Sequence, residues 1–350
     1  MTATHTQQPD LGSCLTRWAG HDQARLAVAD TVGQLAQAAI DLARRLRQSV
    51  FTDDFDEIVG LGADGDDLRH IDLIADELLV QALGNAPVAA VASRQSAGVI
   101  VLQPGAPLLV SIAPLDDSAN LAVDAPTGMI FAMRPAPPSI DLIEASFLRP
   151  GTEQVAAGLV LFGPVTVLML TVGAGTDVFA VDTESGCFRR TRHALRTPRG
   201  TREYAIDASN ARHWTANVRA YVDDLTAGCD GLRRADFTMT WFGALVADAH
   251  RILIRGGVFL SPGDARPGHG SRLVRLVFEA RPIAMLVEQA DGSATDGHRR
   301  LLPIAATHLG ACTTLIFGSA DKVARVGRYH TASPYEAERA PLFGQRGLYR

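Results

Sequence analysis

The sequence predicts a layered α/β protein built in two halves. Three observations carry this. Apolar residues recur at helical spacing near the N-terminus and give way to short, β-rich runs from Val88 onward. Strand and helix patterns then alternate in blocks, as expected when sheets and helices stack in layers. Composition shifts after Arg190, where Thr191 to Arg202 is rich in Arg, Thr and Pro and reads as a surface crossing. The halves are therefore placed at 1–190 and 191–330, with a tail at 331–350. A length of 350 residues, 47% hydrophobic and 20% charged, suits one large or two medium globular domains.

The elements follow in order. Asp22 to Ser49 places Leu26, Val28, Val32, Leu35, Ala39, Leu42 and Leu46 on one stripe, which predicts a long amphipathic helix. Ile71 to Leu83 repeats that period, with Asp72, Asp76 and Glu77 among its polar positions. Val88 to Ala92, Gly98 to Leu102 and Leu108 to Ile112 are short runs separated by turn residues and read as strands. Gly128 to Met133, Val155 to Leu161, Thr166 to Val172 and Asp177 to Val181 continue that pattern, and Glu184-Ser185-Gly186 makes a turn. In the second half, Ala211 to Leu225 and Phe242 to Arg251 read as helices. A Gly/Pro-rich loop, Ser261 to Gly270, leads to a predicted strand at Leu273 to Glu279 and a helix at Pro282 to Ala290. Thr313 to Gly318 is a predicted strand, and Ser319 caps a last helix with Asp321 in its first turn.

Bulk properties narrow the function classes. A formal net charge of −5 gives no general attraction to nucleic acid or anionic lipid. The most apolar stretch, Gly158 to Gly175, is interrupted by Gly163 and Pro164 and does not span a bilayer. Met1 to Gly12 lacks the pattern of a secretory signal. The four cysteines, Cys14, Cys187, Cys229 and Cys312, form no Cys-x-x-Cys pair, so no zinc site is expected. Reduced thiols in a cytoplasmic protein, with no nucleic-acid or membrane partner, are the expectation.

Pro114-Leu115-Asp116-Asp117-Ser118-Ala119-Asn120, after an apolar strand, resembles the Asp-Pro-Leu-Asp-Gly-Ser-Ser-Asn segment of class 1 fructose-1,6-bisphosphatases. Collinear matches extend the likeness over roughly residues 14 to 327. They include Gly65 to Asp72, Val155 to Gly158 with Leu161 to Gly163, and Val246 to Arg251 with Gly256 to Leu260. Phe278 to Pro282 and Phe317 to Ser319 complete the set. The resemblance implies the α-β-α-β-α sugar phosphatase fold and usually a homotetramer. It also implies Mg²⁺-dependent removal of the 1-phosphate from fructose 1,6-bisphosphate, in gluconeogenesis or the reductive pentose phosphate cycle.

Phosphate ester hydrolysis of this kind needs convergent carboxylates that hold metal ions, which neutralise the phosphate and activate water. By motif position Asp116 and Glu279 resemble metal ligands, Asp66 a ligand of a further metal, and Asp72 the acid that handles the attacking water. Asp117, Ser118 and Asn120 fall in the phosphate-cradling segment, and Asp207 and Arg272 fall at or beside substrate contacts. Other positions have changed. The first Asp of the signature is Ala113, and the paired glutamates fall at Ser93 and Arg94, in a stretch without acid from Asn85 to Pro114. On the sugar side, a Tyr falls on Asn210, an Arg-Tyr pair on Thr240-Trp241, a Tyr on Ser261 and a Lys on Leu273. Mg²⁺ binding is therefore expected to be weak or lost.

Several residues have two readings. Asp116 and Glu279 are either metal ligands or relics that hold backbone amides and pair with an Arg. Asp66 and Asp72 are either catalytic or ordinary acids at a helix start. Arg94 is read as a surface cation, the alternative being a phosphate-binding guanidinium in place of a metal. Trp241 is read as a core or subunit-interface ring, the alternative being a sugar platform. Whether the chain is an enzyme stays open at this level: it is a weakly active or retuned sugar phosphatase, or a non-catalytic homologue. The second would assemble as a dimer or tetramer with itself or with an active paralogue.

Overall fold

The computed structural model describes residues 8–49, 51, 55–62, 67–96, 98–263 and 274–331. The chain opens with helices α1 (Leu11–Ala19) and α2 (Gln23–Ser49), a hairpin of β1 (Ile58–Leu61) and β2 (Asp67–Arg69), and helix α3 (His70–Gly84). The strands β3 (Val88–Ser93), β4 (Val99–Val101), β5 (Leu108–Asp116) and β6 (Thr127–Pro135) follow, then α4 (Ile143–Leu148). Next come β7 (Ala156–Phe162), β8 (Val167–Thr171), β9 (Thr176–Asp182) and β10 (Cys187–Arg192). The second half has β11 (Glu203–Ile206), α5 (Ala216–Thr226), β12 (Thr238–Met239), α6 (Leu245–Arg255), β13 (Val258–Ser261) and β14 (Val274–Arg275). It ends with α7 (Arg281–Gln289), β15 (Gly292–Thr295), β16 (Cys312–Thr313), β17 (Leu315–Ser319) and α8 (Ala320–Thr331).

Two large sheets organise these elements. The first has eight strands in the order β10-β9-β8-β7-β6-β5-β3-β4, antiparallel except where β3 lies parallel to β5. The second has five strands in the order β12-β11-β13-β17-β15. Helices α1 to α3 cover one face of the first sheet through Leu35, Leu42, Leu79, Phe131 and Phe179. Helices α6 and α7 fill the space between the sheets, with Ile130, Leu159, Ile252, Ile283, Phe259 and Phe317 in one buried cluster. Helices α5 and α8 close the outer face of the second sheet through Tyr221, Val326, Ile206 and Leu260. The order of layers is thus α-β-α-β-α, as the resemblance implied. Each fully buried aliphatic or aromatic side chain in these clusters contributes about 1.5–3 kcal/mol of transfer free energy.

Local predictions differ from the structure where packing on both sides hides the period. The run at 273–279 is a strand only at Val274–Arg275, and Leu276–Ala280 then forms a π-helical turn leading into α7. Its β-branched and aromatic residues are buried between the sheets, which a strand-like composition also satisfies. The pattern at 211–225 is a 3₁₀ turn, Ala208–His213, followed by α5, and the helix expected from Phe242 begins only at Leu245. Glycine opens one close approach that the site depends on. A Cβ on Gly128 of β6 would lie 2.2 Å from the Val160 oxygen and 2.7 Å from Val246 Cγ2, so the start of α6 rests directly on this sheet.

Candidate functional site

The parallel pairing of β3 with β5 brings two of the signature segments side by side. Ser93 is in register with Ile112, and the N–H of Arg94 donates to the Ile112 carbonyl at 2.9 Å. β5 then runs on through Ala113, which is fully buried, to Asp116, the last residue of the strand. Asp117 turns the chain in the left-handed region, with φ 52°, and begins a 3₁₀ turn at Ser118–Val123. Asn120 braces this turn: its side-chain nitrogen donates to the Pro126 carbonyl at 2.9 Å.

Asp116 and Glu279 are 163 positions apart, yet both line one cleft, and the Glu279 charge acts on Asp116. Both are buried, and both have engaged oxygens. Asp116 Oδ2 accepts from the Val246 N–H at the start of α6, at 2.8 Å. Burial, with Asp117 and Glu279 close by, raises its pKa well above the usual carboxylate range. Glu279 projects from the π-helical turn. Its Oε2 accepts from the Arg275 N–H at 2.8 Å, and its Oε1 pairs with Arg94 Nη1 at 3.2 Å. Each acid thus accepts from a backbone amide, and Glu279 also pairs with an Arg. Arg94 departs from the surface reading. Its side chain is 19% exposed and points into the cleft, because the Glu279 carboxylate, itself 6% exposed, offers a partner there.

The remaining sequence candidates divide. Asp72, in the first turn of α3, is buried; its Oδ2 accepts from the Arg69 N–H at 2.9 Å and from Ser118 Oγ at 3.0 Å. Burial raises its pKa. Ser93 is buried and its hydroxyl donates to Asp76, whose pKa burial also raises. Asp117 and Asp207 both line the cleft. Asp207 also caps the following 3₁₀ turn, accepting from the Ser209 N–H at 2.9 Å. Asp66 and Arg272 lie outside the described residues. Among the described residues, no group of three or more His, Cys, Asp or Glu side chains is arranged to hold a metal ion. No helix among them is long and apolar enough to cross a membrane.

The cleft encloses about 380 Å³. Arg94, Asp116, Asp117 and Glu279 stand in its wall together with Asp207, Asn210, Trp214, Trp241, Phe259 and Ser261. Of the two tryptophans here, Trp214 is a feature the sequence reading missed. Trp241, taken first as a core or interface ring, is 41% exposed and stands in the wall of the cleft. The sequence signal that pointed to it was its position beside Thr240, at a substrate-contacting pair of the family motif.

Comparison with known proteins agrees with this layout. Residues 15–193 match the family described as fructose-1-6-bisphosphatase, N-terminal domain, and residues 197–331 match its C-terminal domain. The chain is 44% identical over 351 aligned positions to a class 1 fructose-1,6-bisphosphatase of Xanthobacter autotrophicus, covering 99% of this chain and 94% of the relative. It is 46% identical to the class 1 enzyme of Methylorubrum extorquens, with 92% of each chain covered. The fold superposes on the holo form of Leishmania major fructose-1,6-bisphosphatase with a TM-score of 0.86 at 25% identity, covering 93% of this chain and 99% of that one. Full-length similarity, the five-layer fold and the segment around Asp116 all place this chain in the class 1 fructose-1,6-bisphosphatase family.

Proposed function

We propose that this chain has the architecture of a Mg²⁺-dependent sugar bisphosphatase but turns over fructose 1,6-bisphosphate to fructose 6-phosphate and phosphate very slowly or not at all. The observation that carries this is the Arg94–Glu279 pair at 3.2 Å. Mg²⁺ demands hard oxygen ligands in near-octahedral array and gives up its water reluctantly. Here one oxygen of Asp116, whose burial favours its protonated form, is held by the Val246 amide, and the two oxygens of Glu279 are engaged by Arg94 and by the Arg275 amide. Ala113 has no side-chain oxygen, and Ser93 offers only a neutral hydroxyl directed at Asp76. This donor set does not fit a divalent metal, and a guanidinium beside it repels one. Asp72 and Ser118 are within hydrogen-bond reach of each other and can hold a proton near the Asp117 turn. They do not replace the charge neutralisation that ester hydrolysis needs.

A phosphate-release assay on the purified protein, with Mg²⁺ or Mn²⁺ and a panel of sugar phosphates, tests this. The expected result is release indistinguishable from the metal-only control. Brisk metal-dependent hydrolysis of any member would end the proposal. A second reading starts from the three buried clusters, which keep the fold packed beside the altered site. In that reading the chain is a non-catalytic homologue that forms a dimer or tetramer and mixes with an active paralogue.

A further inference from the structure

The end of the cleft formed by Trp241 is built as a rigid platform. The indole stacks on Phe259 with ring centroids 5.7 Å apart and planes inclined by 15°. Phe259 stacks in turn on Phe317 at 4.9 Å, and both phenyl rings are buried. The peptide groups on either side of Trp241 are gripped by one helix, α6. The Thr240 carbonyl accepts from Arg251 Nη2 at 3.1 Å, and the Phe242 N–H donates to Asp248 Oδ2 at 3.2 Å. Arg251 is fixed by Glu203 Oε2 at 2.7 Å. A ring held from beneath and from both sides loses little freedom when a ligand covers it.

The lining around this platform suits hydroxyl groups and disfavours phosphate. Among the described residues of the cleft, Arg94 is the one cation, and the acids are Asp117, Asp207, Glu279 and Asp116, the last disposed by burial to keep its proton. That cation is already paired with Glu279. A phosphate dianion brought here meets like charge. A neutral polyol meets acceptors for its O–H groups in the carboxylates, and both donor and acceptor in the Asn210 amide. The C–H face of a sugar ring, slightly positive, matches the negative face of an indole.

We infer that this cleft binds an unphosphorylated cyclic sugar, laid with its C–H face on Trp241, with no divalent metal taking part. The inference rests on the proposed loss of the metal and phosphate partners. The test is calorimetric titration of the full chain, in chelator, with free hexoses and pentoses and with the monophosphate of each. Free sugars should bind, and each monophosphate should bind at least about tenfold more weakly than its parent. Trp241→Ala should cost at least about tenfold in affinity, with thermal unfolding and light-scattering mass unchanged. Asp207→Asn, whose amide oxygen can still accept from the Ser209 N–H, should weaken binding severalfold and serves if the first variant does not fold. The inference is overturned if no free sugar binds, if a monophosphate binds more tightly than its parent, or if the variants bind as the parent does. It is equally overturned if Trp241→Ala changes the mass of the particle, which assigns the ring to a subunit interface. Metal-dependent turnover of a sugar phosphate defeats the preceding proposal, whereas absence of both turnover and sugar binding defeats this inference alone.

Discussion

At the scale of residues, Arg94 and Asp248 show two fates of a charge taken out of water. Arg94 shares its burial with Glu279, so neither charge is left bare. Asp248 is fully buried, and burial outweighs its contacts with the Phe242 N–H and with Arg251 at 3.5 Å. Its pKa is pushed up to about 6 from an ordinary value of 3.8. The folded chain therefore holds this proton more tightly than the unfolded chain. The stability it contributes is complete below the unfolded pKa and is lost as pH rises through about 6. Asp248→Asn keeps an oxygen for the Phe242 N–H and removes the titration. Relative to the parent, the variant should gain roughly 2–3 kcal/mol between about pH 4 and pH 7. Chemical denaturation across that range measures it, and a difference independent of pH would refute the account. None of this was legible in sequence, where Asp248 is one letter of a helical pattern. Which way a side chain faces is set by the layer above it, not by its neighbours in the chain.

At the scale of elements, the ends of β3 and β5 carry Ser93, Arg94, Ala113 and Asp116 to one place. Helices α2 and α3 and strands β3 to β9 were legible because each packs one face, or a short two-sided run, with a regular apolar period. Strands β11, β13 and β15 are only four residues long and left no such signal, and the π-helical turn at Leu276–Ala280 carries the composition of a strand. Of the candidate site, the acids were legible by motif, but the Arg94–Glu279 pairing needed the fold. Combining Ala113→Asp, Ser93→Glu and Arg94→Glu restores the missing charges at this strand end. The first two positions are buried, so in chelator the triple variant should be less stable than the parent. Added Mg²⁺ should return stability, because metal bound only by the folded state shifts unfolding by mass action. Turnover should stay low, since Thr240 and Ser261 still lack the phosphate-binding groups of the family motif. Thermal melts with and without Mg²⁺ check the first part and the phosphate assay the second. Full turnover from the triple variant would show that the sugar-side changes matter little.

At the scale of the whole molecule, the question is what a packed fold with an altered cleft presents to its surroundings. Three buried clusters of apolar side chains hold the layers together. Large apolar side chains remain on the outside: Phe51 is 87% exposed, Leu61 70% and Val123 73%. Phe51 and Leu61 lie in the segment joining α2 to α3, and Val123 ends the turn that begins at Ser118. Single exposed apolar residues are unremarkable in a monomer, but the covering of several such groups is what an oligomer interface supplies. The chain should accordingly form a dimer or tetramer, and static light scattering at micromolar concentration should read that mass. A monomer at that concentration removes both the homo-oligomer and the non-catalytic partner reading, because the latter needs the same surfaces. If the chain does assemble, replacing Phe51 and Leu61 by Ser should lower the mass while leaving the thermal transition of the subunit in place. Co-expression with an active paralogue, followed by pull-down and assay, then separates self-association from mixing. Mixed particles with altered specific activity support the regulatory reading, and particles of only one chain type confine the interface to copies of this protein.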